Sequence, residues 1–157
     1  YKKENITVVL PLAYGDAENA EKIKEEALNI FGKNKVEFWE DFVTYEEYAR
    51  RIHGIDIAII DNIYSNGLGN WALLTFFKKK IYINKKGNIA QSCKRNNVKI
   101  DYTENIQGES FEQFSKYYFD PKLKMYEEIS AQKVCEIWKH TLDQLKTNGQ
   151  IKLLEEK

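Results

Sequence analysis

Short apolar runs alternate with amphipathic segments along most of this chain, and this alternation constrains the fold more than any other feature. Residues 6–12 form a β-branched apolar run that predicts a buried strand, and residues 16–31 place apolar side chains at helical spacing. Further strands are predicted at residues 36–42, 55–60, 80–83 and 98–102. Further helices are predicted from Thr44 onward and at residues 71–77, 88–96, 110–118 and 131–145. Strands that alternate with helices form right-handed βαβ units, so we predict an α/β fold with a Rossmann-like parallel sheet and flanking helices.

Length and composition narrow the class of protein. The 157 residues suit one domain, which we predict to span residues 1–157, with an irregular segment and a C-terminal helix in residues 107–157. The 24 basic residues balance the 24 acidic ones, so no net charge draws the chain to nucleic acid, and we predict no nucleic-acid partner. The two cysteines and two histidines show no metal-ligand spacing, so we predict no metal site.

The first residues of the chain and its hydropathy bear on whether it is part of a longer protein and on where it is located. Tyr1-Lys2-Lys3 opens the sequence without an initiator Met, and strand material begins at Ile6, which predicts an excised domain of a longer protein. No apolar run approaches the ~20 residues that a membrane-spanning helix needs. The two cysteines are too few for a disulfide scaffold, so we expect a reduced, cytoplasmic setting.

In an open parallel sheet, ligands bind beyond the carboxyl ends of the strands, so the residues that follow each strand are the candidates for function. Tyr14, Gly15 and Asp16 follow the first strand. Gly15 lets the backbone turn tightly and approach a ligand, and the next helix directs free N–H groups and a positive dipole end toward an anion. The alternative is an ordinary turn in which Asp16 caps the helix.

The segment after the third strand, residues 61–70, is the stronger candidate. Gly67 and Gly69 precede a predicted helix, an arrangement that suits a phosphate cradle of backbone amides at a helix N-terminus. Five polar side chains surround the glycines: Asp61, Asn62, Ser65, Asn66 and Asn70. Neither a P-loop nor a dinucleotide fingerprint is present in this segment. The alternative is a hydrophilic loop with Asn70 as the helix cap.

Residues after the last two strands offer weaker candidates. Lys85 and Lys86 follow the fourth strand, and either ammonium group could screen phosphate charge. Glu104 follows the fifth strand, where a carboxylate could accept ribose hydroxyls. An ordinary solvated surface explains each of these residues equally well.

Two segments resemble one family. Residues 8–23, VVLPLAYGDAENAEKI, resemble the start of the C-terminal domain of the 4-acetamido-4,6-dideoxygalactose (Fuc4NAc) transferases, glycosyltransferase family 56. Residues 56–84, DIAIIDNIYSNGLGNWALLTFFKKKIYIN, resemble the second signature of that family: a strand, a polar segment, a Gly-x-Gly turn, an apolar helix and a strand. The resemblance extends over about residues 6–106. The chain carries Ser65-Asn66 where family members tend to have an amide pair such as Gln-Gln.

The resemblance implies a GT-B fold, in which the C-terminal Rossmann-like domain binds the nucleotide-sugar donor. It implies transfer of Fuc4NAc from a dTDP-sugar, or a related UDP-sugar, to a lipid-linked saccharide in the assembly of enterobacterial common antigen. That acceptor would be reached through an N-terminal domain, with the enzyme peripheral on the inner face of the plasma membrane. The implied donor-binding residues are Tyr14, Gly15, Asp16, Asn62, Asn66, Gly67, Gly69 and Asn70. No metal or cofactor is implied, and no catalytic residue is assigned.

The second hypothesis is a non-catalytic, doubly wound signalling module that resembles a response-regulator receiver. Asp61, at the end of the third strand, would be its phosphorylated carboxylate. A receiver also needs an acidic pair after the first strand and a lysine after the fifth. The chain has Leu12-Ala13-Tyr14 and Thr103-Glu104 at those places, so the sequence favours the glycosyltransferase domain.

Overall fold

The computed structural model of the chain describes residues 1–64, 67–123 and 131–147. It confirms a mixed α/β protein with parallel strands. The strands are β1 (Val8–Pro11), β2 (Val36–Trp39), β3 (Ile57–Ile60), β4 (Lys80–Ile83) and β5 (Asp101–Tyr102). The α-helices are α1 (Ala17–Phe31), α2 (Tyr45–His53), α3 (Leu68–Phe76), α4 (Asn88–Arg95), α5 (Phe111–Ser115) and α6 (Ala131–Thr147).

The strands form two small open sheets, where the sequence predicted one. β1 and β2 pair in parallel, with Val8 opposite Val36. β3, β4 and β5 form the other parallel sheet with β4 in the centre. The described residues divide into two compact units: the first contains Tyr1–Gly54 and Asn105–Lys116, and the second contains those within Ile55–Glu104 and those from Tyr117 onward. Each sheet therefore belongs to its own unit.

Four of the five strands are shorter than predicted, whereas β4 has the predicted bounds, and β5 shows one cause of the shortening. The sequence placed this strand at residues 98–102, but only Asp101 and Tyr102 pair with β4. The Val98 N–H donates to the Cys93 carbonyl, 2.9 Å away, as the chain leaves α4. The Lys99 N–H donates to the Asp120 carboxylate at 2.7 Å. Because both amides have partners outside the sheet, the strand begins later.

In the first unit, side-chain caps define where the helices begin. The Asp16 carboxylate accepts the Asn19 N–H at 2.8 Å at the start of α1, and the Thr44 hydroxyl accepts the Glu47 N–H at 3.3 Å at the start of α2. Gly32 ends α1 as predicted, with φ at 84°. Both strands of this unit are mostly half-buried.

The second unit has the more fully buried core. Every residue of β4 is buried. The largest fully buried side chains of this core are Trp71 from α3 and Tyr82 and Ile83 from β4. β4 is covered on both faces, whereas β3 is not, since Ile59 is 55% exposed. Burial raises the pKa of the Cys93 thiol, on the inner face of α4, to about 11.

The other helices follow the predicted order. α4 begins at Asn88 as predicted, and α6 begins at Ala131. α3 begins at Leu68, three residues before the predicted start, which moves Gly69 and Asn70 from the turn into the helix. Within the described ranges, no helix combines the length and the apolar character needed to cross a membrane.

Candidate functional site

The polar residues that follow β3, β4 and β5 meet at the carboxyl edge of the three-stranded sheet. Asp61 Oδ1 accepts hydrogen bonds from Asn84 Nδ2 at 3.0 Å and from Thr103 Oγ1 at 2.7 Å. The three side chains come from three successive strand ends, as expected for parallel strands. The Thr103 hydroxyl stands where a receiver would need a lysine, and the signalling alternative stays a prediction.

The N-terminus of α3 lies at the end of the loop that begins with Asp61. Its N-cap residue, Gly67, adopts a left-handed conformation with φ at 76°, and no side-chain hydrogen bond from the described residues caps the helix. The first turn begins with Leu68 and Gly69, whose backbone N–H groups precede the first i to i−4 hydrogen bond of the helix, from the Trp71 N–H to the Gly67 carbonyl. Leu68 and both glycines are exposed, and a Cβ atom on Gly69 would meet nothing within 4 Å. The first turn of α3 is therefore open to an incoming group.

Gly87 holds the β4–α4 loop against the loop that leads to α3. The Asn88 N–H donates to the Ile63 carbonyl at 3.1 Å. A Cβ atom on Gly87 would lie 2.6 Å from the Asn62 carbonyl oxygen, closer than side-chain atoms approach. The absence of a side chain thus lets two loops of the site pack together. Gly87 was not among the residues predicted from the sequence, although a glycine between a strand and a helix was a usable signal.

The backbone amides of Lys85 and Lys86, which follow β4, donate to nearby side chains. The Lys85 N–H donates to Glu104 Oε2 at 3.4 Å, and the Lys85 ammonium lies 6.0 Å from the centre of the Tyr102 ring. The Lys86 N–H donates to Asn84 Oδ1 at 2.9 Å. Both lysine side chains are exposed, so their predicted contact with phosphate stays a prediction.

The carboxyl edge of the two-stranded sheet carries exposed aromatic rings in addition to polar side chains. Tyr14 is 82% exposed, and its ring centre lies 4.8 Å from that of Phe42. Gly15 has φ at 112°, a conformation that L side chains rarely adopt. Asp16 caps α1, so the structural alternative proposed for this residue is confirmed, while its predicted contact with a donor stays untested.

The predicted site residues that the structure describes fall in two units. In the second unit, Asn62 follows β3, and Gly67, Gly69 and Asn70 begin α3. The alternative with Asn70 as the helix cap is wrong, because Gly67 is the cap and Asn70 is the third residue of the helix. Asn66 and Ser65 lie outside the described residues. Tyr14, Gly15 and Asp16 belong to the first unit, so their proximity to α3 stays a prediction.

Neither related proteins nor a cluster of metal ligands assigns a function to this site. Comparison of the chain with protein-family models, with curated proteins and with solved structures finds no match. Across the residues that the structure describes, no group of three or more His, Cys, Asp or Glu side chains could hold a metal ion.

Proposed function

We propose that this chain is the nucleotide-sugar-binding domain of a GT-B glycosyltransferase. The observation that carries the proposal is the open first turn of α3, which begins at a left-handed glycine beside the polar sheet edge. The first backbone amides of a helix and the positive end of its dipole suit a diphosphate. The resemblance of two segments to the Fuc4NAc transferases supports the choice of a dTDP- or UDP-linked amino-deoxy sugar.

The proposed chemistry is electrostatic. As the bond between sugar and diphosphate breaks, negative charge develops on the leaving phosphate oxygen. Amides at the start of α3 would stabilise that charge better in the transition state than in the bound donor, which accelerates the reaction. The hydroxyl of Thr103 and the amide of Asn84 orient the Asp61 carboxylate, which is suited to accept hydroxyl groups of a ribose or a sugar.

The remaining parts of the proposal concern the whole enzyme. An N-terminal domain would bind the lipid-linked saccharide acceptor and supply the catalytic base. The whole enzyme would be peripheral on the inner face of the plasma membrane. The proposal requires no metal or cofactor. This domain alone would bind donor without transferring the sugar.

Calorimetric titration with dTDP and with UDP tests the proposal. The informative variant is Gly69→Ala, because the added methyl group meets open space in the protein and leaves the backbone conformation allowed. It should weaken nucleotide binding at least tenfold, since the methyl group lies where phosphate oxygens would approach the amides. Gly108→Ala is the matched control, because Gly108 is also surrounded by open space and lies in the other unit.

Two results would contradict the proposal. One is the absence of binding of either nucleotide to the unaltered chain at millimolar concentration. The other is equal binding by Gly69→Ala and Gly108→Ala. Gly67 is a less suitable position for such a variant, because its positive φ strains any residue with a side chain.

A further inference from the structure

Tyr14 and Phe42 form an exposed aromatic pair in the first unit. Their rings meet edge to face, at an interplanar angle of 81°, and Phe42 is 72% exposed. Aromatic side chains usually bury most of their surface, so two large rings that contact each other yet stay open to solvent are suited to bind a further apolar surface.

The pair lies at the edge of the sheet where ligands bind in α/β proteins. Tyr14 follows the end of β1 by three residues, and Phe42 follows the end of β2 by three residues. The last residues of the two strands, Pro11 and Trp39, are register partners, so the rings extend from the same end of the sheet. Beside Tyr14, a Cβ atom on Gly15 would meet nothing within 4 Å, which leaves room for a ligand against the backbone.

The charges near the pair favour a neutral ligand group over a phosphate. Three acidic residues flank the rings in sequence: Asp16, Glu40 and Asp41. The residues from 10 to 18 and from 39 to 47 include no lysine or arginine, and the Lys24 ammonium from α1 pairs with Glu40, which leaves Asp16 and Asp41 as the acidic residues outside that ion pair. The Asp16 carboxylate also accepts the Asn19 N–H, so it occupies the start of α1 with negative charge. A nucleobase fits these surroundings, because its flat face stacks on an aromatic ring and its N–H groups can donate to carboxylates.

We propose that Tyr14 and Phe42 form a stacking site for a nucleobase. The base would lie against the exposed face of one ring while the second ring holds the first in place. The inference does not depend on phosphate binding at α3, because it rests only on residues of the first unit. It gives Tyr14 a specific role and adds Phe42 as its partner within the first unit.

Thymidine and uridine are the probes, because a nucleoside carries the base without the phosphates. We expect millimolar binding to the full chain in two-dimensional NMR titrations, with shifts centred on Tyr14, Gly15 and Phe42. Phe42→Ala should weaken this binding about tenfold, which corresponds to about 1.4 kcal/mol. Because Phe42 is exposed, the variant should keep its fold, which its unperturbed spectrum would verify. Phe42→Trp should retain the binding, because it retains a ring.

Phe76→Ala is the matched control. Phe76 is also an exposed ring in an edge-to-face pair, with Phe77 at 5.2 Å, but it lies at the end of α3. Binding of neither nucleoside, or equal weakening by Phe42→Ala and Phe76→Ala, would overturn the inference. Shifts at Tyr14 and Phe42 with N-acetylglucosamine but with neither nucleoside would also overturn it, by assigning the pair to a sugar. If nucleosides bind but Gly69→Ala binds dTDP normally, the stacking site stands and the proposed phosphate site fails.

Discussion

The two sheets of this protein are followed by helices that begin in opposite ways. In the first unit, the oxygens of Asp16 and Thr44 cap the helices that follow β1 and β2. In the second unit, the helices that follow β3 and β4 begin at Gly67 and Gly87 without a side-chain cap from the described residues. A side-chain cap satisfies a helix amide internally, whereas a glycine leaves the amides to other partners. At the start of α4 the Asn88 N–H already donates to the Ile63 carbonyl, so the difference predicts anion binding at the start of α3 and not in the first unit.

The packing beneath the two edges differs as well. β1 and β2 are mostly half-buried, whereas β4 is buried along its whole length between two neighbouring strands. A rigid core holds a site more accurately than a loosely packed one, because its side chains have fewer alternative positions. We therefore expect the polar edge of the second unit to be the more firmly held of the two.

The largest predicted effect is on the free energy of unfolding. A Leu→Ala substitution in one helix of each unit tests the difference in packing. Leu74 in α3 is 3% exposed, whereas Leu28 in α1 is 38% exposed. Leu74→Ala should lower the free energy of unfolding by about 3 kcal/mol, through lost burial and the cavity that remains. Leu28→Ala should cost about 1 kcal/mol or less, because much of its surface already contacts water. Urea unfolding followed by circular dichroism measures both, and equal losses would mean that the two cores are packed alike.

The next effect is the difference in stability between alanine variants of Gly87 and Gly69, which have different roles in the second unit. Gly87→Ala should lower the free energy of unfolding by about 1–3 kcal/mol, because its Cβ would collide with the Asn62 carbonyl and the loops must move apart. Gly69→Ala should leave stability unchanged or raise it by up to about 1 kcal/mol, because alanine is the better helix former.

Urea unfolding of both variants beside the unaltered chain provides the measurement. A Gly87→Ala variant as stable as the unaltered chain would show that the loops are not closely packed at this position. A Gly69→Ala variant with a clear loss of stability would show that Gly69 has a structural role, and its use as a test of nucleotide binding would no longer be valid.

A smaller effect tests the capped helices of the first unit. Asp16→Ala should lower the free energy of unfolding by about 1 kcal/mol, because the Asn19 N–H loses its partner. Asp16→Asn should preserve most of the stability, because an amide oxygen still accepts that bond. Denaturant titration of the two variants measures the difference. If Asp16→Ala is as stable as Asp16→Asn, the cap contributes nothing, and Asp16 is then available for the predicted contact with a donor.

The sequence predicted the order and type of the elements well, because strands and helices have different apolar periods. The bounds of β4, the Asp16 cap and the Gly32 end of α1 all follow from local residues. The division of the strands into two sheets could not be predicted in this way, since strand pairing depends on contacts that are distant in sequence. The early start of α3 has a related cause: an uncapped helix that begins at a glycine lacks the side-chain signal that marks an N-terminus.

The candidate site was predicted only in part. The glycines and polar residues after β3 were found from their position, because that position is where parallel sheets bind ligands. The Asp61–Asn84–Thr103 network could not be found, because it joins three segments that are far apart in the chain. Phe42 was missed for another reason: its exposure beside Tyr14 depends on the pairing of β1 with β2, which no local pattern reveals.

The smallest predicted effect is a loss of stability at acidic pH. It concerns the Asp120 carboxylate, which holds the backbone just before β5. The backbone N–H groups of Lys99 and Lys122 donate to the Asp120 carboxylate at 2.7 and 2.9 Å and lower its pKa below the usual value of about 4. A lowered pKa in the folded state stabilises the fold at pH values above the unfolded pKa, and this stabilisation is lost as the pH falls through the folded pKa. The free energy of unfolding should therefore fall as the pH drops below about 4. Asp120→Asn, which does not titrate, should show a shallower fall than the control Asp56→Asn, and parallel curves in urea unfolding across this pH range would refute the role of Asp120.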